Sequence, residues 1–71
     1  MKDVNLKIGL AIKKFRKKRG LTQERLAEMI KTSYKYIQRI EGKTPPDIRL
    51  STIRRISKAL KTTPSKILEN A

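Results

Sequence analysis

Four side chains able to hydrogen-bond a base edge or a phosphate, Tyr34, Lys35, Gln38 and Arg39, fall within the stretch KTSYKYIQRIEGK, residues 31–43. On a helix whose Ile37 and Ile40 face inward, they collect on the opposite side. A glutamine amide offers the donor and acceptor that match adenine N7 and N6, while arginine or lysine suits guanine O6 and N7. Tyrosine can pack on a thymine methyl or bond a phosphate. The face is therefore either ordinary solvated surface or a reading head, and the rest of the chain has to decide between them.

The charge narrows the choice. Nineteen Lys and Arg stand against six Asp and Glu in 71 residues, a formal charge of +13. So much self-repulsion on so small a chain calls for a polyanion, either nucleic acid or an anionic membrane surface. Cysteine and histidine are both absent. That removes disulfides, thiolate and imidazole metal sites and the usual acid-base catalyst, so no metal and no cofactor is expected. The six acids, Asp3, Glu24, Glu28, Glu41, Asp47 and Glu69, supply no catalytic set without them, and no catalytic residue is assigned. No apolar run reaches the ~18 residues of a spanning helix, and lysines interrupt the N-terminal stretch too often for a signal-peptide core. The expectation is one cytoplasmic domain over residues 1–71.

The elements that must position the four side chains read as helices throughout. Val4, Ile8, Ala11, Ile12 and Phe15 form one stripe, and Gly20 supplies a left-handed stop. Leu6 and Leu10 lie off that stripe. Thr22 is a good N-cap for a short helix over about 23–30, with Leu26, Ala27 and Ile30 inward. Ser33 caps the next helix, which Gly42 ends. Pro45 and Pro46 force an extended loop. Leu50, Ile53, Ile56, Ala59 and Leu60 then predict a fourth helix, and Thr63-Pro64 opens a last one through Ile67 and Leu68. The fold class is all-α: a compact five-helix bundle.

About three residues separate the second and third helices, so they meet steeply, as in a helix-turn-helix. Counting from Gln23, Ala27 comes four residues later, Ile30 seven, Ile37 fourteen and Ile40 seventeen. The alanine has to be small where the helices cross, and the isoleucines fill the wedge between them.

With these elements in place, the chain resembles the phage repressor and Cro family of DNA-binding domains, the Cro/cI or xenobiotic-response-element type of helix-turn-helix. The likeness runs from about residue 8 to 68 through IGLAIKKFRKKRGLTQERLAEMI, SYKYIQRIEGK and LSTIRRISKAL, with the motif itself over about 22–41. It implies a lambda-repressor-like bundle and a transcriptional regulator that binds double-stranded DNA. The third helix, about 33–41, would enter the major groove.

The resemblance also assigns roles. Tyr34, Lys35, Gln38 and Arg39 stand where the family makes base-edge contacts. Gln23 matches a glutamine that touches a phosphate and buttresses the reading helix. Thr22, Ser33, Lys43, Thr44 and Arg49 are further backbone candidates. Tyr36 sits at the edge of the buried face, where packing competes with a backbone contact. Arg16 and Glu41 match an ion pair that ties helix one to helix three, a structural role. Useful specificity calls for a homodimer on a palindromic operator, and Ile48, Ile67 and Leu68 are the expected seam.

The chain departs from the family at several points. Lys31 and Lys61 occupy turn positions where the family usually has glycine, and a left-handed lysine costs on the order of 1 kcal/mol. Arg25 replaces the acid of a capping box. The EGK stretch is one residue shorter than the common form, and the loop after it is longer.

Rival readings remain. One is a DNA-binding antitoxin or restriction-modification controller, with a toxin or polymerase as protein partner. Another is a non-specific nucleic-acid binder, which the scarcity of exposed aromatics disfavours. A membrane-active first helix is set aside, because its apolar face is needed for the core.

Overall fold

Apolar residues recurring every third or fourth position build five helices in a computed structural model, which describes residues 2–71, with side chains from residue 4 onward. They are α1 Lys2–Lys18, α2 Gln23–Met29, α3 Tyr34–Ile40, α4 Leu50–Ala59 and α5 Pro64–Glu69. No strand occurs among the described residues. Asp3, one of the six acids, lies outside the described side chains. Among the described residues no helix is long and apolar enough to cross a membrane.

One core serves all five helices. Ile8, Ala11 and Ile12 come from α1, Leu26, Ala27 and Ile30 from α2 and its cap, and Ile37 and Ile40 from α3. Ile53, Ile56, Leu60 and Ile67 complete it from the C-terminal half, with Phe15, Leu21, Tyr36, Ile48 and Ala59 packed at its margin. α1 lies against α5 and α3, α2 against α3 and α4, and α4 against α5. Ser57 is the polar exception on the inner face of α4; its hydroxyl donates to the Ile53 carbonyl at 2.6 Å, so it enters the core with its donor satisfied.

Three expectations need correction. Val4, read as the start of the α1 stripe, is 51% exposed, because the helix extends past the body of the core there. Leu50, read as the first inward residue of α4, is 61% exposed; the buried stripe of that helix begins at Ile53. Ile67, read as part of a dimer seam, is fully buried within the chain's own core, where α5 closes onto α1 and α4. It is not available to a second copy.

Three helices end in the same hydrogen-bonded turn. After α1, Gly20 (φ 69°) donates to the Lys17 carbonyl and Leu21 to that of Arg16. After α2, Lys31 (φ 57°) donates to Glu28 and Thr32 to Ala27; after α4, Lys61 (φ 54°) donates to Lys58 and Thr62 to Ser57. Each pair satisfies carbonyls that a helix end would leave open. Lysine thus adopts the left-handed conformation at both positions where the family usually has glycine. α3 ends differently: Glu41 caps it at φ −88°, and Gly42 follows without a positive φ.

Candidate nucleic-acid interface

The aim of α3 is set at its two ends. At its start, the Ser33 hydroxyl oxygen accepts from the Tyr36 amide at 3.0 Å, and Thr22 does the same for α2 by accepting from the Arg25 amide at 3.0 Å. Both caps leave the hydroxyl proton free to donate outward, and both residues are exposed. Arg25 offers no reciprocal cap; its guanidinium pairs instead with Glu28 at 3.2 Å on the exposed surface of α2.

At its end, α3 is held by a buried carboxylate. Arg16 Nε donates to Glu41 Oε2 at 2.8 Å and Arg16 Nη2 to Oε1 at 2.9 Å, a two-pronged pair from α1. The remaining nitrogen, Nη1, donates to the Leu21 carbonyl at 2.6 Å. Gln23 Nε2 adds a third donor to the carboxylate, reaching Oε1 at 3.0 Å. One charge pair therefore meets α1, the turn after it, the first residue of α2 and the cap of α3. The arginine and glutamate are each only 7% exposed, so their charges are matched by hydrogen bonds and not by water.

A second constraint comes from packing. An added Cβ on Gly9 would run into the backbone carbonyl oxygen of Ile40, so α1 and the last turn of α3 approach backbone to backbone. Sequence reasoning did not single out Gly9. A glycine in the middle of a helical stripe, where it costs about 1 kcal/mol relative to alanine, was the available signal.

Between these anchors the outer face of α3 carries Tyr34, Lys35, Gln38 and Arg39, all exposed. Within it, Gln38 Nε2 donates to the Tyr34 hydroxyl at 3.0 Å, one helical turn apart. Tyr36 is not on this face: it is half-buried and packed against the core. Lys43, Thr44 and Arg49 are exposed in the loop between α3 and α4 and at its end. Asn5 of α1 holds that loop by donating from Nδ2 to Asp47 Oδ1 at 2.7 Å. On the far side of α2, the Arg55 guanidinium from α4 donates to the Ile30 carbonyl. Neither tether carries a periodicity or motif that would reveal it in the sequence.

One phenol, two cations and one amide, presented by a short helix whose ends are clamped, can meet a groove by hydrogen bonding and charge. The comparisons with known proteins agree in kind. A family model described as helix-turn-helix matches residues 12–67. No curated protein matches in sequence. The clp gene regulator ClgR from Corynebacterium glutamicum superposes with a TM-score of 0.89 at 22% identity, over 94% of this chain and 70% of that one. The restriction-modification controller protein C.AhdI from Aeromonas hydrophila superposes with a TM-score of 0.82 at 25% identity, over 89% of this chain and 94% of that one.

Proposed function

The chain belongs to the helix-turn-helix family of the Cro/cI type, a family of DNA-binding regulators and not of enzymes, and from that premise we propose that it reads a specific double-stranded site with α3 in the major groove. The observation that carries this reading is the exposed face of Tyr34, Lys35, Gln38 and Arg39 on a helix clamped at both ends. Lys35, Gln38 and Arg39 supply base-edge contacts. Gln23, Thr22, Ser33, Lys43, Thr44 and Arg49 grip phosphates on either side. Regulation is by occupancy, a bound copy blocking or recruiting polymerase in the cytoplasm.

One module touches few base pairs, so the proposed operator is palindromic and taken by two copies. Ile48 and Leu68 remain for the pairing surface. A role as restriction-modification controller fits the same geometry and is favoured over an antitoxin role by the similarity to C.AhdI over most of both chains.

Selection of bound duplexes from a random library at physiological salt tests the reading. The expected product is a palindromic consensus whose half-sites lie about one helical turn apart. Recovery of arbitrary duplexes with no enriched base would reduce the protein to a cationic bundle that binds DNA without reading it.

A further inference from the structure

We propose that Tyr34 is a positioning residue for Gln38, and that the two side chains read one adenine as a unit. The inference rests on the reading-face proposal and deepens it, assigning a base and a mechanism to two of its side chains.

A glutamine at the middle of an exposed helical face has three side-chain torsions to fix before it can present an edge. Its amide has two N–H donors and one carbonyl acceptor. Here one N–H is already committed to the Tyr34 hydroxyl at 3.0 Å. Tyrosine is a stiff anchor, with two torsions against glutamine's three, and it sits at the first residue of α3, next to the Ser33 cap. What remains on Gln38 is one donor and one acceptor, the pair that adenine N7 and N6 require. Guanine shows two acceptors in the same place, so the Gln38 carbonyl would face an oxygen, and the fixed edge discriminates against it.

The same bond settles what Tyr34 does. Its oxygen accepts from Gln38, which leaves the hydroxyl proton free to donate, and a phosphate oxygen is the acceptor within the chemistry of the groove. Tyr34 then touches the backbone and sets the angle of its neighbour, while Gln38 meets the base. In free protein both side chains face water and the bond is weak. Closing the groove over it removes the competing water and strengthens it.

The test compares wild-type protein, Tyr34→Phe, Gln38→Ala and the double variant on duplexes differing at single base pairs of the selected half-site. Wild type should prefer adenine to guanine at one position by about 10- to 100-fold, within the range of one good two-pronged contact. Gln38→Ala should erase that ratio. Tyr34→Phe should cut it about fivefold or more at that position alone, alongside a smaller loss common to all sequences from the missing phosphate contact. In the double variant the ratio should match Gln38→Ala, since the brace has nothing left to hold. If Tyr34→Phe keeps the full ratio, shifts preference at a different base pair, or adds independently to Gln38→Ala, the coupling is overturned while the reading face stands. A wild type with no preference anywhere overturns both. Tyr34 is 45% exposed, and thermal unfolding of Tyr34→Phe close to wild type excludes misfolding as the cause.

Discussion

Gln23 Nε2 donates to Glu41 Oε1 across 3.0 Å, joining the first residue of α2 to the residue that caps α3. The same carboxylate receives both forks of Arg16 from α1. The angle between the two helices of the motif is thus tied to one buried carboxylate: α3 holds it against Arg16 of α1, and α2 turns away from it only by giving up the Gln23 hydrogen bond. Packing brings α2 and α3 together; this junction decides how they face.

Removing the carboxylate should therefore cost more than any surface ion pair. Glu41→Ala leaves the Arg16 guanidinium buried with only the Leu21 carbonyl, and stability should fall by ~3 kcal/mol, the scale for breaking a buried pair from one side. Gln23→Ala removes one hydrogen bond at the rim and should cost ~1 kcal/mol. Urea titration gives both values. A loss under half a kcal/mol for Glu41→Ala would contradict the structural weight given to the pair.

Gly9→Ala should also destabilise, against helix propensity. In an isolated helix the change would gain about 1 kcal/mol. Here the new methyl meets the Ile40 carbonyl oxygen, which belongs to backbone and cannot rotate aside, so α1 must back away from α3. A net loss of about 2 kcal/mol is expected, in the range for overpacking a close contact. Thermal unfolding that showed a gain in stability would mean that the helices do not touch there.

The two left-handed lysines predict the opposite sign. Lys31→Gly and Lys61→Gly relieve a strain of about 1–2 kcal/mol, partly offset by the greater freedom of glycine in the unfolded chain. Each variant should gain about 0.5–1 kcal/mol. The turns are at the ends of different helices, so the gains should add in the double variant. Equal or lower stability in both would show that the lysine side chains contribute contacts that outweigh the strain.

Most of the fold was legible because short helices state themselves through apolar spacing and punctuation. Thr22, Ser33 and Thr63 are polar caps, and Pro64 and Gly20 stand at a helix start and stop, so the element borders follow from local chemistry. The errors occur where spacing is correct but the partner is missing. Val4 and Leu50 keep their stripe in sequence, yet each lies at a helix start beyond the reach of the core. Ile67 looked free because nothing in the sequence tells which side of α5 meets α1. The Gln23–Glu41, Asn5–Asp47 and Arg55–Ile30 links join positions 18 to 42 residues apart and have no local signature. Gly9 was visible as a letter but not as a contact. The face shared by Tyr34, Lys35, Gln38 and Arg39 follows from helical spacing and is exposed, and Tyr36, expected at the edge of the buried face, is half-buried and packed against the core.

Variants on α3 and on the loop should separate reading from gripping. Lys35→Ala should alter preference at particular base pairs, by ~1–3 kcal/mol where a base contact is lost. Lys43→Ala should weaken every duplex to a similar degree and lower the salt slope by about one, since it releases one counterion's worth of phosphate contact. Affinities across salt for the selected site and for a scrambled duplex give both readouts. A uniform loss from both variants would leave non-specific binding as the whole activity.

The last prediction concerns assembly. With Ile67 in the core, the proposed pairing surface keeps half-buried Ile48 and Leu68, which is 44% exposed. Two such residues remove too little apolar surface for a stable dimer, and each copy brings a charge of +13 toward the other. Free protein should therefore be mainly monomeric at low salt. Screening shortens the reach of that repulsion to about 8 Å at physiological ionic strength, so added salt should promote the free dimer even as it weakens DNA binding. On a palindromic duplex the phosphates neutralise the same charge, and two copies should bind per site. Leu68→Lys should reduce that to weaker, stepwise binding while leaving a single half-site occupied as before. Analytical ultracentrifugation follows every species, and one copy per full site for wild type, with a monomer at all salts, would remove the paired arrangement.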